Sequence, residues 1–175
     1  MRDGEGKART VGDRLALLLA TGFGLGRSPF APGTVGALLG VPLSAALLPL
    51  LNLPYGWVLQ SIAGALLCAV AVPVCDRAER LLETKDPHCI VADEYLTFPL
   101  CLIGIHWMGE PWILPAAFVL SRISDIIKPP PARQLENLGG GLGIVMDDVL
   151  ASLYTLAVNH AMVYAMAARH AAQGG

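Results

Sequence analysis

From Ser28 to Cys75 the chain runs 48 residues without one Asp, Glu, Lys or Arg. A helix at the surface of a soluble protein needs a polar face, and this run has none. Two membrane-crossing helices of about 20 residues each, joined by a tight turn, need this much apolar chain. Composition agrees. The residues AVILMFWYC make up 54%, and the 19 glycines bring the apolar share to roughly 65%, against about 45–50% in soluble domains. Charged residues are 15%, against about 25%. At 175 residues the length fits a single domain, here an integral membrane domain covering 1–175.

The run divides at Asn52–Gly56 into two expected helices, Thr34–Leu53 and Trp57–Cys75, with Tyr55 and Trp57 suited to a membrane interface. Gly36, Gly40 and Gly64 offer small faces for close helix packing, and Pro42, Pro49 and Pro73 mark expected kinks. A second hairpin is expected from Cys89–Trp107 and Pro111–Ile127, and a last helix from Val149–Ala168. Residues 1–12 read as a polar, mobile lead-in, and the short apolar stretch Leu15–Leu25 as an interfacial or half-buried helix. Asp76–Asp86 reads as a solvated extension of the helix before it. The expected fold is therefore all-α: a membrane helical bundle of two hairpins plus a final helix, with a Gly/Pro-rich loop over 21–36.

Lys and Arg fall on one side of this plan. Five precede Ser28, three lie in 76–94, three in 121–148 and one at the tail, while the turns near 52–56 and 106–111 hold none. The positive-inside rule puts the charged loops in the cytoplasm. A net charge of −2 gives no basic field for nucleic acid. Cys68, Cys75, Cys89 and Cys101 lack C-x-x-C spacing and read as small hydrophobes; His106 and His160 read as packing or interfacial residues. Acids interleave with the early bases and no A-x-A site follows, so a cleaved signal peptide is not expected.

The chemistry concentrates in Ser121–Asp148. At about 100° per residue, Arg122, Asp125 and Lys128 share one helix face, and Pro129 to Pro131 then stop the helix. A glycine cluster that includes Gly140 leads to Asp147 and Asp148. Each part has an ordinary alternative: an intrahelical ion pair, a surface loop, an Asp cap. Ionisable residues in membrane helices default to function, however, and Asp93 and Glu94 belong to the same face of the bilayer. Five carboxylates there would repel one another without a metal. Mg²⁺, which takes one or two carboxylates plus phosphate oxygens, resolves the crowding. Arg122 and Lys128 then hold a phosphate, with glycine backbone at Gly140, and Gly33 with Ser28 and Thr34, as further donors. A cation transport module would need polar residues through the whole membrane depth, and a non-catalytic scaffold would not need so many acids in one place.

Four segments also resemble one family. S-P-F-A-P-G-T-V-G (28–36), I-V-A-D-E (90–94), R-I-S-D-I-I-K-P-P-P (122–131) and G-G-G-L-G-I-V-M-D-D (139–148) occur in the order and spacing of phosphatidylglycerophosphatase A. The resemblance covers about residues 20 to 165. It implies a Mg²⁺-dependent enzyme of the bacterial inner membrane, multi-pass and facing the cytoplasm, that hydrolyses phosphatidylglycerophosphate to phosphatidylglycerol. By the same matching, the site is Asp93, Glu94, Arg122, Asp125, Lys128, Asp147 and Asp148, with the acids as metal ligands and Ser28 and Thr34 in support. Ala37, Thr97, Ser121 and Ser152 depart from the usual pattern, all at packing positions.

Overall fold

The computed structural model describes residues 10–85, 87–128, 130–135 and 138–173. Among them every regular element is helical: α1 (Val11–Ala20), α2 (Pro32–Ala37), α3 (Gly40–Leu47), α4 (Gly56–Leu82), α5 (Ala92–Thr97), α6 (Ile113–Ile127), α7 (Ala132–Leu135) and α8 (Gly140–Gln173), with short 3-10 turns between several of them. Most of the expected mobile lead-in lies outside the described residues, but its last part does not. Thr10 caps α1 with a capping box, its Oγ1 accepting from Asp13 N–H (3.2 Å) while Asp13 Oδ2 accepts from Thr10 N–H (2.9 Å). Asp13 Oδ1 also accepts from Arg77 Nε (2.9 Å), which ties α1 to α4.

Three segments are long and apolar enough to cross a membrane: Pro32–Asn52, Gly56–Leu82 and Gly140–Gln173. The first is not one rod. Between α2 and α3 it tightens to 3-10 bonding (Val41 N–H to the Leu38 carbonyl, 3.2 Å), and it does so again over Leu48–Asn52, beginning beside Pro49. The second runs unbroken through Pro73 and carries on past Cys75 to Leu82, as the polar extension implies. The third begins nine residues earlier than the apolar pattern indicates. Its first turn is the glycine cluster, because α8 lies directly on α4: a Cβ on Gly141 would come within 2.1 Å of the Val72 carbonyl oxygen.

The second hairpin departs most from expectation. Its first arm, Cys89–Trp107, is not a spanning helix: α5 gives way after six residues to a 3-10 turn, Phe98–Leu102, and then to a bend at Gly104 (φ +75°). Pro99 removes a helical donor and starts the break. This segment is almost wholly buried, a plug surrounded by the other helices. Val91, Phe98 and Leu100 seat in notches left by Gly36, Gly40 and Gly64, where a Cβ would come within 2.4 to 2.6 Å of each side chain.

A broken backbone at membrane depth needs partners, and the long helices supply them. Gln60 on α4 accepts from Gly104 N–H (2.8 Å) and donates to the Leu47 carbonyl (3.2 Å). Asn159 on α8 donates to the Cys101 carbonyl (2.9 Å), and His160 Nε2 lies 2.9 Å from the Ile103 carbonyl. Around these bonds one core gathers Phe98, Cys101, Ile105, Trp107, Ile113 and Ala117, with Phe118 edge-on to Phe98 at 5.8 Å. A second core, built on Leu17, Ala20, Cys75, Val91, Tyr95 and Val145, supports the charged end.

Candidate active site

Four elements bring charge together. Val91 N–H donates to the Ala20 carbonyl (2.8 Å), which fixes the start of α5 and sets Asp93 and Glu94 in its first turn. Carboxylates are favoured there by the helix dipole. Thr97, one of the departures from the family pattern, donates back to the Asp93 carbonyl (2.6 Å). Arg122 and Asp125 lie in the last turns of α6. Lys128 closes that helix in the left-handed region (φ +47°), its N–H donating to the Ser124 carbonyl (2.9 Å). Asp147 and Asp148 project from α8 two turns after its start, so neither is a helix cap.

These side chains and the start of α2 enclose a cavity of about 380 Å³. Lys128 Nζ is 2.8 Å from Asp147 Oδ2. Arg122 Nη1 is 3.2 Å from Glu94 Oε2 and 3.4 Å from Asp125 Oδ2. Asp93, Asp147 and Asp148 are buried. Gly33 lets Glu94 lie close, since a Cβ there would come within 2.1 Å of Glu94 Oε1 and displace the carboxylate. Five carboxylates face two cations across the cavity, a formal excess of three negative charges.

Nine of the eleven residues expected at the site line this cavity: Gly33, Thr34, Asp93, Glu94, Arg122, Asp125, Lys128, Asp147 and Asp148. Ser28 and Gly140 do not. Ser28 Oγ is engaged locally, donating to the Phe30 carbonyl (2.9 Å) and accepting from Phe30 N–H (3.3 Å), a hydroxyl turn within its own loop. Gly140 (φ +70°) faces Asp76 on α4 and borders a smaller cavity with Glu79 and Lys85, which adjoins the main one at Ile144 and Asp147. Gly140 and Gly141 therefore sit against α4. His88 lines the main cavity although sequence reasoning passed over it. Its signal was slight: one ionisable residue between Pro87 and the I-V-A-D-E segment.

Among the described residues no three of the acids form a ready metal cage. A Mg²⁺ ion that serves phosphate chemistry does not require one, because phosphate oxygens and water complete its octahedron. The donor set fits such a hard cation: it is rich in carboxylate oxygen, no thiolate lines the cavity, and the charge excess is negative.

An oily helical bundle with acids and bases walling one cavity defines a membrane enzyme that works on a charged head group. Sequence comparison places it within that class. The family profile of phosphatidylglycerophosphatase A matches residues 18–163, and the chain belongs to that family. It is a phosphatase, a hydrolase of phosphoric monoesters. A Haemophilus influenzae phosphatidylglycerophosphatase A is 39% identical over 150 residues, covering 85% of this chain and 89% of the relative. The Escherichia coli phosphatidylglycerophosphatase A is 33% identical over 144 residues, covering 81% and 79%. A Bacteroides thetaiotaomicron protein, provisionally named a phosphatidylinositol-3-phosphatase, is 40% identical over 148 residues, covering 81% and 89%. No solved structure matches the chain.

Proposed function

We propose that the protein removes the terminal phosphate of phosphatidylglycerophosphate, with Mg²⁺, at the cytoplasmic face of a bacterial inner membrane. The observation that carries this reading is the single cavity at which Arg122 and Lys128 meet five carboxylates. Hydrolysis breaks the bond from phosphorus to the glycerol oxygen and forms one to a water oxygen. Phosphoryl transfer needs positioning and charge neutralisation more than covalent help. Arg122 and Lys128, each now paired with acids, would turn to the incoming phosphate and hold its oxygens. Asp93, Glu94, Asp125, Asp147 and Asp148 are the residues that would hold the metal, which when bound supplies positive charge against the phosphoryl oxygens. The buried walls restrict water around the phosphate and strengthen those contacts.

The distribution of Lys and Arg supports the facing, since the turns at 52–56 and 106–111 carry none. The name of the Bacteroides relative favours a second reading, a phosphoinositide monoester as substrate. One assay separates them: phosphate release by purified protein from each lipid in mixed micelles, with Mg²⁺ and after exhaustive chelation. Release from phosphatidylglycerophosphate that stops on chelation and returns with Mg²⁺ is the expected result. Undiminished turnover without metal would remove Mg²⁺, and preference for the phosphoinositide would replace the substrate.

A further inference from the structure

The loop after α1 folds back onto that helix. Phe23 N–H donates to the Leu18 carbonyl (2.8 Å), and Gly24 and Gly26 both donate to the Thr21 carbonyl (3.0 and 2.9 Å). Phe23 is held at φ +58°, a costly conformation for an aromatic residue, and the residue is 62% exposed. Between helix and loop lies a cavity of about 280 Å³ walled by Arg14, Leu17, Leu18, Thr21, Phe23 and Arg27. It shares no residue with the active-site cavity.

No acid lines this second cavity. Asp13, next to Arg14 in the chain, is turned toward Thr10 and Arg77. Neither Arg14 nor Arg27 pairs with an acid among the described residues. Two guanidinium groups from positions thirteen apart are thus brought to one hollow without a counter-charge among the described residues. Beside it, Val11 (83% exposed), Leu15 and Leu18 form an uncovered apolar stripe at i, i+4 and i+7 of α1. Phe23 extends the stripe. Cationic forks beside an apolar strip complement a molecule with an anionic head and an apolar tail, and a guanidinium matches phosphate in particular. In a membrane protein that molecule is at hand.

We propose that this cavity binds the phosphate of an anionic glycerophospholipid, whose acyl chains lie along Val11, Leu15 and Leu18 while α1 rests in the membrane interface. The site is distinct from the catalytic one and holds lipid without converting it. A basic residue near an anionic lipid surface contributes about a fivefold gain in affinity, so the two together should give about 25-fold.

The test is native mass spectrometry of the full chain in detergent, titrated with phosphatidylglycerol or with phosphatidylcholine of the same acyl chains. The wild type should retain phosphatidylglycerol preferentially. Arg14→Gln with Arg27→Gln should reduce that preference by about 25-fold. Arg14→Lys should keep most of it, and Arg80→Gln, the same charge loss on α4, should leave it unchanged. Thermal unfolding checks that each variant is folded; should the double variant fail, Arg14→Gln alone must show about a fivefold loss. Equal binding of the two lipids by the wild type, or an equal loss in Arg80→Gln, would overturn the site. Displacement of the lipid by glycerol 3-phosphate at matched concentration would overturn the lipid as occupant.

Discussion

Asn159 and Asp148 lie three turns apart on α8 and are almost equally hidden, 2% and 4% exposed. Their surroundings differ in kind. Asn159 and its counterpart Gln60 on α4 each meet a backbone group that the broken plug could not pair for itself. Asp148 shares its cavity with four other carboxylates and two cations. The first arrangement closes a gap in the fold. The second keeps charge in apolar surroundings, which favours no fold and suits a ligand that arrives later. Polar burial in this molecule thus follows two rules, and substitution separates them.

The largest effect belongs to the crowded end. Asp148→Asn should lower turnover at least about a hundredfold, close to 2.7 kcal/mol of transition-state stabilisation. Its melting temperature in detergent should hold steady or rise, because one of several like charges is gone. A folded, fully active Asp148→Asn would erase the contrast with Asn159.

Next come the bonds to the plug. Gln60→Leu removes the partners of both Gly104 N–H and the Leu47 carbonyl, and at about 0.5–1.5 kcal/mol per bond should cost about 1–3 kcal/mol of stability. Asn159→Leu should behave alike, through the Cys101 carbonyl. Below their own melting temperatures both variants should hydrolyse substrate at the wild-type rate. A loss of rate without a loss of stability would move these residues out of the structural group.

Lys128 sits between the two regimes, since it closes a helix and faces the cavity. Its ammonium is a compact charge placed 2.8 Å from Asp147, and a planar guanidinium is a poor replacement. Lys128→Arg should fold normally and lose about tenfold in rate, roughly 1.4 kcal/mol. Unchanged kinetics would make Lys128 an anchor at the membrane boundary.

The smallest effect lies outside the membrane-spanning segments, at Asp13. The Thr10 backbone N–H foremost, and then the Arg77 guanidinium, hold its carboxyl below the ordinary range. The ionised form is thus the one favoured on folding. Its contribution is present above an unfolded value of about 3.9 and is lost as pH falls through the lower folded value. The gap in melting temperature between wild type and Asp13→Asn should be constant above about pH 5 and narrow toward pH 3. A gap that ignores pH would show that the pair does not bear on stability.

Much of the charged end was legible from the sequence because each charge there is an anomaly in an oily chain. Arg122, Asp125 and Lys128 share a face by helical spacing alone, and the prolines after Lys128 stop the helix where α6 does end. Ser28 and Gly140 lie off the main cavity for a common reason. A hydroxyl or a glycine beside a charged motif looks like a phosphate ligand, yet whether it faces the cavity depends on packing with α4 and within the 28–30 turn. His88 escaped for the reverse reason, since only the fold carries it from the loop before α5 to the cavity wall.

Hydropathy by itself determined that the chain belongs in a membrane, because burying 48 uncharged residues in water-soluble form would leave no polar face. It determined the long helices at Gly56–Leu82 and Gly140–Gln173 for the same reason, though not where the second begins. The segment Cys89–Trp107 is mostly apolar too and still does not span. Hydropathy measures the transfer of side chains out of water; it does not measure what the backbone meets on arrival. Facing lipid, that backbone must bond to itself as continuous helix. Enclosed by α4 and α8, with Gln60 and Asn159 to answer it and the Gly36, Gly40 and Gly64 notches to receive its side chains, it is able to break. That break lets α5 begin beside the ends of α6 and the early turns of α8, and so only the tertiary structure decided how Asp93 and Glu94 reach the cavity that Arg122, Lys128 and Asp148 share.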